Sequence, residues 1–404
     1  MALSSRLLCD YGDLAADSKV TPMPPLLSAG FRPFFLAAAA WAALTMLAWL
    51  PLLNGNLDLP SRFDPLSWHV HEMLFGFAMA AIGGFLLTAI PNWTNRPPLA
   101  GPPLAFLVLL WLLGRIACLI SASLPAWLAP ALDLAFPVAL EAVALRELIV
   151  AHNRRNYPLL APVPLLGIAN LLTHLRVLGV AVPFELGWRL GIAVVIVLIS
   201  VIGGRIVPAF TRNWLNARGL TPVPPAADML DRAALAVLQI SMIGWTFLPD
   251  WRPVAVLLLI AAALNLARLA RWRGIATVDE PLLLVLHVGY LWLVAGIALL
   301  GLSLLTDAVP YAAAVHALTA GAMGTMILAV MTRATLGHTG HVLRADVATT
   351  VIYALVSASA VLRIVAAWVS QGQMDLLEVA VVAWVGAFGL FAAEYGPMLL
   401  APRR

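Results

Sequence analysis

Apolar residues in this chain come in runs of about twenty, the length a helix needs to cross the hydrocarbon of a bilayer, and short breaks carrying proline, glycine or arginine separate them. The runs lie near residues 33–53, 71–90, 102–122, 127–150, 158–179, 188–208, 231–249, 253–271, 281–304, 311–331, 347–370 and 375–400. Period-2 alternation, the mark of a membrane β-barrel, is not visible in them. The expected fold is all-α and integral to a membrane: twelve transmembrane helices forming one domain over 31–400, preceded by a tail over 1–30. Composition agrees, since 62% of residues are hydrophobic and 11% charged, against roughly half and a quarter in a soluble domain. The tail holds Arg6, Asp10, Asp13, Asp17 and Lys19 without an uninterrupted apolar stretch, so no cleavable signal peptide is expected. Two cysteines, Cys9 in the tail and Cys118 in an apolar run, indicate neither a disulfide framework nor a thiolate metal site.

Orientation follows from the basic residues. With a cytoplasmic N-terminus, the cytoplasmic segments collect Arg6, Lys19, Arg32, Arg96, Arg154, Arg155, Arg212, Arg218, Arg271, Arg273, Arg333, Arg344, Arg403 and Arg404, and the other side holds Arg62 and Arg252. That asymmetry places both termini in the cytoplasm. It also accounts for the sequence pI of 9.4, so nucleic acid is not an expected partner; membrane lipids are. A repeat is visible as well. Gly83-Gly84 precedes PNWTNR, Gly203-Gly204 precedes PAFTR and Gly324 precedes VMTR, with Gly84, Gly204 and Gly324 spaced 120 residues apart. Read as a true repeat it means three four-helix units, with the second, sixth and tenth helices in equivalent inner positions; glycines also serve ordinary helix packing.

Charged and imidazole groups within a bilayer are costly enough that each calls for a partner or a task. By this topology His69, His71, His174 and His316 fall in the outer half, His287 about two turns from the cytoplasmic face, and His152, His338 and His341 in or beside cytoplasmic loops. The densest stretch is WHVHEMLFGF, residues 68–77. In a regular helix, side chains at i and i+2 point about 200° apart, so His69 and His71 share one ion only where the chain is extended and otherwise serve two sites. His69 could equally cap the helix or face water. Imidazoles suit copper, iron and zinc, and a proximal histidine suits haem iron. Glu72 is placed to orient a ligand imidazole or to pass protons; a helix first-turn acid is its plainer role. His316 opens HALTAGAMGTM, whose small residues leave room for a flat macrocycle or for plain helix packing. Arg115, Arg176, Arg189 and Arg363, without a matching number of buried acids, suit the propionates of a haem or snorkel to the interface. Glu141 and Glu394 read as a proton route or as helix–helix hydrogen bonds.

The blocks SAGFRPFF, WHVHEMLFGFAMAAIGGFLLTAIPNWTNRPPL, GGRIVPAFTRNWL, LHVGYLWL and HALTAGAMGTMILAVMTRATLGHTG resemble the NnrS family, over about 27–400 and in the family's order. The resemblance implies a bacterial inner-membrane protein that carries haem and copper and is associated with nitric oxide metabolism and nitrosative-stress defence. The histidines matching the family are His69, His71, His174, His287, His316 and His338. His341 stands where the family more usually has arginine and receives no ligand role. Twelve helices in three four-helix arcs is also the plan of the catalytic subunit of haem-copper oxidases and nitric oxide reductases, an analogy of architecture that does not establish activity.

These readings combine into one expected site. His316 holds the iron of a haem b, since no C-x-x-C-H sequence for covalent attachment occurs; His69, His71 and His174 hold copper. Arg115, Arg176 and Arg363 receive propionates. His287 is structural, a ligand of a second haem, or part of a vestigial inner proton route, and Glu72 is the catalytic acid, taking protons from the outer side. The expected function is an oxidoreductase that binds nitric oxide and reduces it to nitrous oxide, with electrons from a quinol or a periplasmic cytochrome or cupredoxin. The alternatives are a nitric oxide, haem or copper binding or sensing protein without turnover, and a secondary transporter, whose repeats are commonly inverted halves. The topology is checked by reporter fusions: fusions at the loops of Arg154 and Arg271 are expected to report the cytoplasm, and an outside signal at either overturns the assignment.

Overall fold

The computed structural model describes residues 23–404, so Cys9, Lys19 and the rest of the first 22 residues lie outside it. A short 3-10 turn, Pro25–Leu27, leads into the helices. These are α1 Phe31–Leu53, α2 Pro65–Thr94, α3 Pro102–Leu119, α4 Leu128–Val150, α5 Pro162–Val177, α6 Leu186–Asn216, α7 Met229–Phe247, α8 Arg252–Ala270, α9 Pro281–Ser303, α10 Tyr311–Thr339, α11 Val347–Val365 and α12 Gln373–Leu400. No strand occurs among the described residues. Among the described residues, eleven helices are long and apolar enough to cross a membrane. The exception is α7, which carries Asp231 and Arg232 in its first turn and Gln239 at its middle.

Successive helices pack on one another, and α12 returns to pack on α1, closing a ring. Arg32 seals that closure: it is buried, and its guanidinium donates to the carbonyls of Leu399 at 2.8 Å and Ala401 at 2.6 Å, a cation at the negative end of a helix. Inside the ring, α2, α6 and α10 touch one another. They line a shallow apolar pocket of about 80 Å³ with Ala81, Ile82, Ile199, Gly203, Met326 and Ile327, among others.

The spaced glycines mark close approaches between helices. A Cβ on Gly84 would come within 2.9 Å of the Phe35 ring on α1, and one on Gly324 within 2.8 Å of Trp384 on α12. At Gly204 the added atom would fall on the guanidinium of Arg268 from α8. Arg268 is buried and donates to Asp231 at 2.7 Å and to the Tyr290 hydroxyl at 2.8 Å, so α6, α7, α8 and α9 are tied at one point near the arginine-rich side.

Two departures from the expected helix bounds bear on function. First, α2 begins at Pro65, six residues before the apolar run, because Asp64 caps it by accepting from Ser67 N at 3.0 Å and Pro65 fits the first turn. His69 is therefore inside a regular helical stretch, neither preceding a helix nor in extended chain. Second, both α2 and α10 switch to π-helical turns directly after a histidine, over Glu72–Ala78 following His71 and over Ala317–Gly324 following His316. Such turns concentrate at functional sites.

Replacing Gly204 by valine should push Arg268 off its partners and overpack the junction, at a cost of about 1–3 kcal/mol. Gly389→Ala, where a Cβ meets nothing within 4 Å, should leave the thermal unfolding of the detergent-solubilised protein unchanged or slightly raised. Equal behaviour of the two variants would remove the close-packing account.

Candidate metal centre

The regular turn at the start of α2 sends its two histidines to different places. On one face, His71 and Glu72 meet Arg115 and Cys118 of α3, Asp133 of α4, and Asn170 and His174 of α5, all fully or almost fully buried. Arg115 and Cys118 are three residues apart and share a helix face. Gly114 lets α3 approach until a Cβ would lie 2.9 Å from Asp133 Cα. The α1–α2 loop closes the cluster at one end: Ser61 donates to the Cys118 carbonyl at 2.8 Å and Arg62 to that of Ser121 at 3.0 Å. This anchors Phe63 over both imidazoles, with ring centroids 4.7 Å from His71 and 5.4 Å from His174.

Within the cluster nearly every polar atom is matched, the exception among the described residues being Arg115 Nε. Arg115 donates to Glu72 Oε2 at 2.7 Å and to Asp133 Oδ1. Trp41 donates to the same Glu72 oxygen at 2.7 Å, and the other Glu72 oxygen lies 3.0 Å from His71 Nδ1. Asp133 Oδ2 is the crowded atom: Asn170 Nδ2 lies at 2.8 Å, His174 Nε2 at 2.9 Å and His71 Nε2 at 3.1 Å. Against the two carboxylates stands one guanidinium, so one formal negative charge is left for a cation or a protonated imidazole to balance.

One ligand atom each from His71, Cys118, Asp133 and His174 lie within 4.8 Å of one another. Ligand atoms around a four-coordinate ion with bonds of 2.0–2.3 Å are roughly 3.5 Å apart, so shifts of the order of 1 Å would close the set on a metal. Glu72 holds His71 Nδ1, the arrangement seen around ligand histidines, while His71 Nε2 faces Asn170 Oδ1 at 2.9 Å and Asp133 Oδ2 at 3.1 Å, contacts that an ion would replace.

On the other face of α2, His69 stacks on Trp49 with ring centroids 4.3 Å apart, and its Nδ1 has no partner. It lines a cavity of about 320 Å³ with His316, Arg363, Met73, Met323 and Trp188, among others. His316 Nδ1 lies 2.7 Å from the Ala312 carbonyl, which assigns it the proton and frees Nε2. Arg176 also lines this cavity, but it donates to the Val182 carbonyl at 3.1 Å and stacks over Phe184. His287 is remote from both sites, 3.0 Å from Thr211 near the opposite end of the helices.

The expected residues thus divide. His71, Glu72, Arg115 and His174 come together; His69, His316, Arg176 and Arg363 share the cavity; His287 joins neither. The grouping of His69 with His71 and His174 is not formed, because His69 and His71, two positions apart on a helix, point about 200° from one another. Sequence reasoning missed Asp133, Asn170 and Cys118. An acid within the apolar run 127–150 was the available signal, since Arg115 needed a buried counterion. The sequence indicated no thiolate metal site, yet Cys118 Sγ is among the converging atoms.

Helices that cross a membrane around a buried cluster of metal-ligand type define an integral membrane protein with a candidate metal centre. Residues 25–403 match the family described as NnrS protein, and the chain belongs to that family. No curated protein matches it.

Replacing Arg115 by methionine leaves two buried carboxylates without their cation, and breaking a buried pair in this way costs about 3–5 kcal/mol. The Arg115→Met protein should unfold at a markedly lower temperature in detergent, and Arg115→Lys, which keeps the charge but not the fork, should fall between. Unchanged unfolding would mean that the ion pairs do not organise the cluster.

Proposed function

We propose that this protein is a haem- and copper-containing oxidoreductase of nitric oxide, lying in a bacterial inner membrane with both termini in the cytoplasm. The observation that carries the reading is the separation made by α2, which places His69 with His316 in an open cavity and His71 with His174 in a closed cluster. In this reading α7 crosses the membrane as a twelfth span, paired with α8 and neutralised through Asp231 and Arg268. Residues 31–400 then form one domain of three four-helix arcs, supported by the mutual contact of α2, α6 and α10, as in the haem-copper oxidase plan.

The cavity fits a haem b through its side chains. Among the described residues His316 Nε2 and His69 Nδ1 have no hydrogen-bond partner and Arg363 has no paired acid. Arg363, with Arg176 elsewhere on the same wall, suits the propionates, while Ala312, Thr319 and Ala320 leave room for the ring. A bound haem would supply an iron that takes nitric oxide and exchanges single electrons. The cluster fits copper through His71 and His174, held by Glu72, Asp133 and Asn170. Nitric oxide, small and uncharged, reaches the cavity from lipid, and electrons come from a quinol or a periplasmic cytochrome or cupredoxin. His287, paired with Thr211, takes a structural part.

Glu72 enters this reading as the group that orients His71. Both its oxygens are engaged by Trp41, Arg115 and His71, and it does not line the cavity. That engagement favours the second reading, a nitric oxide binding or sensing protein without turnover, because reduction to nitrous oxide consumes protons that Glu72 is not free to deliver.

The two readings part in one experiment. Purified protein, chemically reduced and given successive portions of nitric oxide, should show a haem spectrum that reoxidises each time with nitrous oxide in the headspace. A spectrum that stays nitrosylated, with no nitrous oxide, overturns turnover and leaves binding. His316→Ala should abolish the haem spectrum and His174→Ala should spare it; the reverse pattern would exchange the two sites.

A further inference from the structure

The buried cluster contains a sulfur that the copper assignment above does not use. Cys118 is fully buried, stands one turn from Arg115, and its Sγ belongs to the four ligand atoms that lie within 4.8 Å of one another. We propose that this cluster is a closed thiolate–copper site, with Cys118, His71 and His174 as its principal ligands and Asp133 as the fourth, and that it offers no position to nitric oxide. The proposal rests on the copper assignment and deepens it.

Three observations carry it. The donor set comes first: two imidazoles and one thiolate form the core of copper sites that cycle by one electron, here with a carboxylate in the fourth position, and thiolate softness favours copper over harder ions. Closure is the second. None of the four ligands lines the 320 Å³ cavity, Phe63 covers both imidazoles, and an open catalytic position needs room that such packing does not leave. The third is charge. Glu72, Asp133 and a Cys118 thiolate against Arg115 leave two formal negative charges, which one Cu(II) neutralises. The surrounding bonds also hold the ligands in place, Glu72 to His71 and Arg115 with Asn170 to Asp133. A copper held here would exchange one electron with its ligands kept, taking it from the quinol or periplasmic donor named above and giving it to the haem of the cavity, and nitric oxide chemistry would stay in that cavity across α2.

The test needs no nitric oxide. Purified full-length protein loaded with Cu(II) sulfate should show an intense visible band from thiolate-to-copper charge transfer. Ascorbate should bleach the band by reducing Cu(II), ferricyanide should restore it, and azide, which coordinates open copper positions, should leave it unshifted. Cys118→Ser should lose the band, whereas Cys9→Ser and His69→Ala should keep it. Should Cys118→Ser fail to fold, X-ray absorption at the copper edge of the unmutated protein must still show one sulfur neighbour. Copper bound without a sulfur neighbour, a spectrum indifferent to Cys118→Ser, or an azide-shifted band overturns the proposal. A protein that shows the band yet never reacts with nitric oxide keeps this site and removes the function proposed above, so the two failures are distinguishable.

Discussion

Placing a guanidinium and two carboxylates in the interior of a membrane protein costs several kcal/mol per ion unless each is matched by charge and hydrogen bonds. The first five helices are arranged to meet that condition at Arg115. Its fork reaches Glu72 on α2 and Asp133 on α4 from α3, and Asp133 in turn gathers Asn170 and His174 from α5. Trp41 extends the network to α1. Because no member can leave without stranding another, the network sets the rotation of these helices about their axes, which apolar packing alone leaves loosely specified.

From that constraint follows the division of labour at α2. Once His71 is drawn into the network, helical geometry turns His69 to the opposite face, where the cavity opens. The π-helical turns after His71 add to this. They widen α2 at Gly76, whose carbonyl accepts from Trp111 at 3.0 Å and whose missing side chain leaves space for the Trp41 indole. The matching π turns of α10 after His316 place the second cavity histidine beside small residues. Two sites of different character, one closed and charged, the other open and mostly apolar, therefore lie back to back across a single helix.

Membership of the NnrS family and the buried cluster converge on a metal-binding membrane protein connected with nitric oxide. The two histidine pairs lie apart, one lining the open cavity and the other in the closed cluster of metal-ligand type. At the other end of the molecule, Arg268 and Asp231 form a second buried pair that holds α6 to α9 together; it lies against a basic pocket rather than histidines, and its part is in the assembly of the helices.

The sequence alone determined the membrane class and nearly all helix positions, because burial in lipid demands long apolar runs and charge asymmetry marks their ends. It also made visible the close approaches at Gly84, Gly204 and Gly324, since helices can approach so closely only where no side chain intervenes. It identified His69, His71, His174, His316, Glu72, Arg115 and Arg363 as polar residues in need of partners, yet it could not say which belonged together. That was decided by tertiary structure, for a physical reason: partners such as Arg115 and Asp133, or His71 and His174, stand on different helices, and their meeting depends on helix rotation and crossing. Local periodicity carries no record of either. Cys118 shows the limit most clearly, since along the chain it is one more small apolar residue, and only the fold sets its sulfur beside two imidazoles and a carboxylate.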